Sequence, residues 1–171
     1  ILCAVLVAVS VSAAQPTQGG APPQSWVQIK KLIDDQKLEV AAAAIELRLA
    51  AAKTRNDDQE LGKALIELTN VRLALHGHET AVSRLRAEAW PKDSVNRMAV
   101  ALFYASSLVQ YVQRYGYEIR QRERVDSKAE VDLKAWTLDQ LQAESQRALD
   151  ELWEKREALG KEPLVKLVEY L

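Results

Sequence analysis

From Trp26 onward the apolar residues of this chain recur at three- and four-residue steps, and no segment alternates strictly between apolar and polar residues. That spacing matches a helix with one buried face, whereas a half-buried strand needs a period of two. Neither Asn-Gly nor Asp-Gly occurs to signal a tight hairpin. The sequence therefore predicts an all-α fold.

Breakers and capping residues divide the pattern into helices. Trp26, Ile29 and Ile33, with Val27 and Leu32 alongside, trace a short first helix. Leu38 to Lys53 forms a second, rich in alanine, the best helix former. Asn56-Asp57-Asp58 ends it and supplies an N-cap for the next. Leu61, Ala64, Leu65, Leu68, Val71 and Leu75 give the third helix one apolar stripe, and Gly77 stops it. A shorter helix is expected from Glu79 to Trp90, where Pro91 halts it. Asp93 or Ser94 caps a long helix with Met98, Ala101, Leu102, Ala105, Leu108, Val109 and Val112 on its inner face, reaching Tyr115-Gly116-Tyr117. Arg120 to Trp136 is charged and aperiodic, a long connection. Thr137 and Gln140 form a capping box, and one helix is expected from there to Gly160. Pro163 begins a last helix that is cut off at Leu171.

Short turns between successive helices imply antiparallel neighbours. The pair 61–76 and 79–90 resembles a tetratricopeptide-type hairpin, although no repeat of about 34 residues runs down the chain. The expected architecture is an irregular array of antiparallel helical hairpins, tetratricopeptide-like, over residues 26–171.

Charge divides the chain differently. Twenty-three Lys and Arg face 24 Asp and Glu, yet none of them precedes Lys30. Ile1 to Val11 is almost wholly apolar, Ser12-Ala13-Ala14 is small, and 15–25 is a Pro/Gly-rich linker. An apolar run followed by small residues reads as part of a secretory signal peptide over 1–14, cleaved after Ala13 or Ala14. It is too short for a bilayer span, which takes about 20 apolar residues. The alternative is a buried N-terminal helix, which the Pro/Gly stretch would detach. Cys3 lies inside the apolar run instead of ending it, so it is not placed for lipidation. These segments imply a periplasmic or secreted protein with no stable membrane span after cleavage.

The net charge of -1 leaves no basic excess to displace counterions from a nucleic acid. One Cys and two His make metal chemistry improbable and exclude an internal disulfide. His76-Gly77-His78-Glu79 lacks the second histidine of a zinc-protease motif and reads as imidazoles at a helix C-terminus. No glycine-rich phosphate loop occurs, and Ser106 and Ser107 have no histidine nearby to activate them. Carboxylates alternate with bases, as in Glu154-Lys155-Arg156-Glu157, the pattern of a solvated helix face. No catalytic residue, cofactor or metal is expected.

The stretch from Tyr111 to Arg124 interleaves tyrosines with arginines. Its tyrosines can pack between helices and keep their hydroxyls wet. Alternatively Tyr111, Arg114, Tyr115, Tyr117 and Arg122 face a partner, such as a peptide or an adjoining domain.

Several segments carry a family resemblance. Ala89-Trp90-Pro91-Lys92-Asp93-Ser94-Val95 leads into Ala99 to Tyr104; Tyr111, Tyr115-Gly116-Tyr117-Glu118-Ile119 and Arg122 follow, then Val131 to Thr137 and Pro163. Together they resemble the N-terminal helical region of large bacterial alpha-2-macroglobulin-like proteins. The resemblance spans most of 26–171 at scattered positions. It implies a module preceding β-sandwich domains that trap proteases, often with a thioester. No Cys-x-Glu-Gln sequence occurs here, so no inhibitory residue is carried over. What it implies is placement: a non-catalytic interaction module at the front of an endopeptidase inhibitor, contacting downstream domains or an envelope protein. A free-standing periplasmic scaffold that binds peptides is the alternative. An enzyme would need an acid/base constellation that the sequence does not offer.

Overall fold

The computed structural model describes residues 23–123, 131–166 and 170. The signal-peptide reading of 1–14, most of the linker, residues 124–130 of the charged connection and most of the final segment beyond Lys166 lie outside the described residues.

Among the described residues the protein is all-α, with no strand. Six helices of nine residues or more follow in order: α1 (Trp26–Asp34), α2 (Leu38–Arg55), α3 (Asp58–His76), α4 (His78–Ala87), α5 (Ser94–Arg120) and α6 (Leu138–Glu154). None of these is long and apolar enough to cross a membrane.

Each boundary has a local chemical cause. Ser25 and Gln28 close a reciprocal capping box at α1, and Thr137 with Gln140 does the same at α6. Asp57 and Asp93 accept the Glu60 and Asn96 amides at the starts of α3 and α5. Asn56 takes a left-handed conformation, φ 52°, to end α2. Gly77, at φ 79°, is both the C-cap of α3 and the N-cap of α4, a conformation a side chain would strain.

The helices pack in sequence. Glu46–Arg72 at 2.7 Å and Arg48–Glu60 at 2.6 Å run in opposite order along α2 and α3, so these helices are antiparallel. Arg97–Glu151 at 2.6 Å and Tyr104–Glu144 at 3.1 Å show the same for α5 and α6. The core lies between α2, α3, α4 and α5, where Ile45, Leu65, Leu68, Leu85 and Leu108 are wholly enclosed. The third-helix stripe is buried as expected from Leu61 to Val71.

Four expectations need correction. First, α4 stops at Ala87, not at Trp90. Glu88 is extended, which lets Trp90 fold back and donate its indole N–H to the Leu85 carbonyl at 2.8 Å. That ring packs edge-on to Tyr104, centroids 5.6 Å apart, beneath the guanidiniums of Arg86 and Arg97. Second, the helix from Thr137 does not run unbroken to Gly160. It ends at Glu154, and a single turn follows over Arg156–Leu159. Third, Leu102 and Val109 are not inner-face residues: they are 51% and 43% exposed. The final segment begins with a 3-10 turn at Leu164–Lys166, not with an α-helix.

Candidate functional site

The outer face of α5 and α6 carries a long trough. Its middle hollow, about 580 Å³, is lined by Val109, Val112 and Gln113 from α5 and by Gln142, Ala143 and Gln146 from α6, over Leu108 and Leu141. No charged residue lines it, in a chain of which 27% is charged. Ala143 is shared with a hollow of about 550 Å³ at one end, edged by Arg120 and Asp139. Gln146 is shared with another of about 610 Å³ at the other end, where Leu149 and Trp153 stand beside Asp150 and Arg156. Trp153 is 68% exposed and lies under the Arg156 guanidinium at 4.5 Å.

The trough follows from the sequence of the two helices. Each is apolar over more than one contact's width. The inner residues Ala101, Ala105, Leu108, Leu141 and Ala148 are spent on the core. Val109, Leu149 and Trp153 remain outside, and glutamines border them. The result is an exposed apolar strip with a polar border.

Away from the three hollows, Glu144 of α6 is fixed by its neighbours. Arg147 donates to both its oxygens, at 2.7 and 2.6 Å, and the Tyr104 hydroxyl donates at 3.1 Å. Burial alone would raise the Glu144 pKa, but the Arg147 bonds and charge, the Tyr104 hydroxyl and Arg86 together hold it below the usual value. Burial in turn pushes the Tyr104 phenol up, and the adjacent Glu144 charge adds to the effect.

The five residues singled out from the sequence do not share one surface. Tyr111 is wholly buried, and its hydroxyl is enclosed, not wet. It lies 3.0 Å from the Glu79 carboxylate and 3.2 Å from the Leu133 carbonyl, both acceptors for its one proton. Burial raises its pKa. Arg122 also turns inward, donating to Tyr111 and to the Leu133 and Trp136 carbonyls. Tyr111 is enclosed within the fold and does not face a partner, whereas Arg122 also lines the end hollow together with Arg120 and Asp139. Tyr115 is half-buried against Tyr111 at 5.1 Å and His78 at 6.0 Å. Arg114 is exposed and covers the Tyr115 ring at 5.8 Å. Tyr117 stands free of the core, 78% exposed.

His78 is not at a helix C-terminus: it opens α4 and packs on Tyr111 and Tyr115. Burial first, and then the positive charge of Arg114, lower its pKa, against a smaller opposing pull from Glu79. Among the described residues no group of three or more His, Cys, Asp or Glu could hold a metal ion.

Sequence reasoning missed the trough residues Val109, Gln113, Gln142, Ala143, Leu149 and Trp153. One signal was present. The apolar positions 98, 101, 102, 105, 108, 109 and 112 are too wide a stripe for a single helix contact.

No family model, no curated protein and no solved structure matches the chain.

Proposed function

We propose that this chain is a non-catalytic helical module, of the tetratricopeptide-like kind, that binds protein through the α5–α6 trough. The observation that carries this reading is the continuity of the trough: three hollows joined at Ala143 and Gln146, with an uncharged middle. Apolar floor with amide edges suits the side of a protein helix, which offers apolar side chains and neutral polar flanks.

The placement of the module, at the front of a macroglobulin-like endopeptidase inhibitor in the cell envelope, rests on the resemblance carried by Ala89 to Val95, Tyr115 to Ile119 and Val131 to Thr137.

A photo-reactive residue at Gln142 in the cell that makes the protein tests the binding reading. It should cross-link to a protein, while the same residue at exposed Glu39 on α2 should not. Equal labelling at both positions would sink it. Strand-patterned sequence following Leu171 in the same gene is expected of the macroglobulin placement, and a stop codon there would remove it.

A further inference from the structure

Gly62 sits buried in the body of α3, where a glycine costs helix stability relative to alanine. The far end of the chain supplies the reason. A Cβ on Gly62 would lie 2.6 Å from the Tyr170 hydroxyl, closer than real side chains approach. Its next neighbours, Pro91 Cγ and Tyr170 Cζ, would be in ordinary contact at 3.5 Å. The missing side chain thus opens a notch in the side of α3, and the tip of one tyrosine fills it.

The notch also has a polar wall. The Tyr170 hydroxyl donates to Asn96 Oδ1 at 2.6 Å, 74 positions away in the chain, and lies 3.5 Å from the Gln59 carbonyl. Asn96 is oriented for this bond: its Nδ2 donates to the Asp93 carboxylate at 2.7 Å, which leaves Oδ1 toward the phenol. Asp58, at the start of α3, accepts the Lys92 and Asp93 amides at 3.0 and 2.6 Å. The two helices that wall the notch are therefore tied to each other without Tyr170. The same opening turns of α3 also hold the front of the helical unit, where the Trp26 indole donates to Glu60 at 3.2 Å.

We propose that the Gly62 notch is a docking site for the Tyr170 side chain, a latch that fastens the end of the chain to the start of α3. The latch is reversible. A half-buried ring and a short hydrogen bond hold it, whereas α2 to α5 are joined by a core of their own, with Ile45, Leu65 and Leu108 wholly enclosed. Opening it releases Tyr170 while those helices stay folded. The inference does not rest on the protein-binding reading, and the trough takes no part in it.

Trypsin cleavage after Lys166, an exposed site beside the latch, reads its opening in the full chain when followed by mass spectrometry. Tyr170→Ala should speed that cleavage by about tenfold or more, and Tyr170→Phe by about threefold to tenfold, the share of the hydroxyl. Gly62→Ala should speed it about as much as Tyr170→Ala, because the new methyl evicts the hydroxyl. Its thermal midpoint by far-UV circular dichroism should lie at or above that of Tyr170→Ala, since alanine favours the helix. In the Tyr170→Phe protein Gly62→Ala should add nothing, for the ring carbon at 3.5 Å leaves the methyl room. Cleavage unchanged in Tyr170→Ala would overturn the proposal. So would a Gly62→Ala midpoint below that of Tyr170→Ala, or an effect of Gly62→Ala that is equal with and without the Tyr170 hydroxyl.

Discussion

The Arg122 guanidinium donates to the Tyr111 hydroxyl at 3.0 Å, from 11 positions further along the chain and beyond the end of α5. Its other terminal nitrogen donates to the Leu133 carbonyl at 2.6 Å and to the Trp136 carbonyl at 3.0 Å. One side chain thus ties the return segment before α6 to the buried face of α5. Leu133, only 1% exposed, is the apolar plug of the same junction.

Arg122→Ala should therefore destabilise the fold by about 2–4 kcal/mol, because it strands carbonyls that a charged donor had satisfied. Arg122→Lys should recover only part, since one ammonium cannot reproduce the planar fork. Urea unfolding gives the magnitude. Hydrogen exchange gives the location: the Ala135 and Trp136 amides, bonded to the Asp132 carbonyl, should lose protection first. Uniform loss across α2 and α3 would contradict a local tie.

Gly116 lies buried inside α5, where a glycine weakens the helix. A methyl group added there would meet nothing nearer than Arg120 Nη2 at 4.0 Å. Gly116→Ala should accordingly stabilise the protein by about 0.5–1 kcal/mol. A lower urea midpoint in the variant would show that the site has less room than this.

Glu144 sets an acid limit. Its folded pKa is below the ordinary 4.5, so its stabilisation is complete above that value and is lost as pH falls through the folded pKa. Glu144→Gln should be less stable than the parent at pH 7. Its stability should also fall less steeply than the parent's as pH drops below about 4.5. Parallel stability curves for the two proteins would contradict the assignment.

His78 should titrate below 6.5 in an NMR pH series, for it packs on Tyr111 and Tyr115 and faces Arg114. Its neutral form is favoured in the fold, so it contributes stability above pH 6.5 that is lost as pH falls through its lowered pKa. Arg114→Ala should move the titration up, and Glu79→Gln should move it further down. An unchanged midpoint in both variants would exclude the electrostatic part of this account.

The sequence by itself determined the helices. Asp57, Asp93 and Thr137 cap starts that the sequence marks, and Gly77 makes its stop, while Ser25, read only as linker, caps α1 as well. These features are local: a cap or a breaker acts within about one turn of the residue that makes it. The apolar period also picked out the inner stripe of α3, because a helix buries one face against whatever neighbour it meets.

Tertiary structure decided the rest. Trp90 reads as the last residue of a helix, yet it turns back because Leu85, Tyr104 and two arginines converge around its ring. Tyr111 reads as partner-facing, yet Leu133 and the Arg122 guanidinium close over its hydroxyl. Val109 reads as core, yet α6 covers only the neighbouring side of α5 and leaves it in the trough. Whether an apolar or polar side chain is enclosed depends on which distant segment arrives beside it. That is fixed by the packing of whole helices, which no local pattern of residues contains.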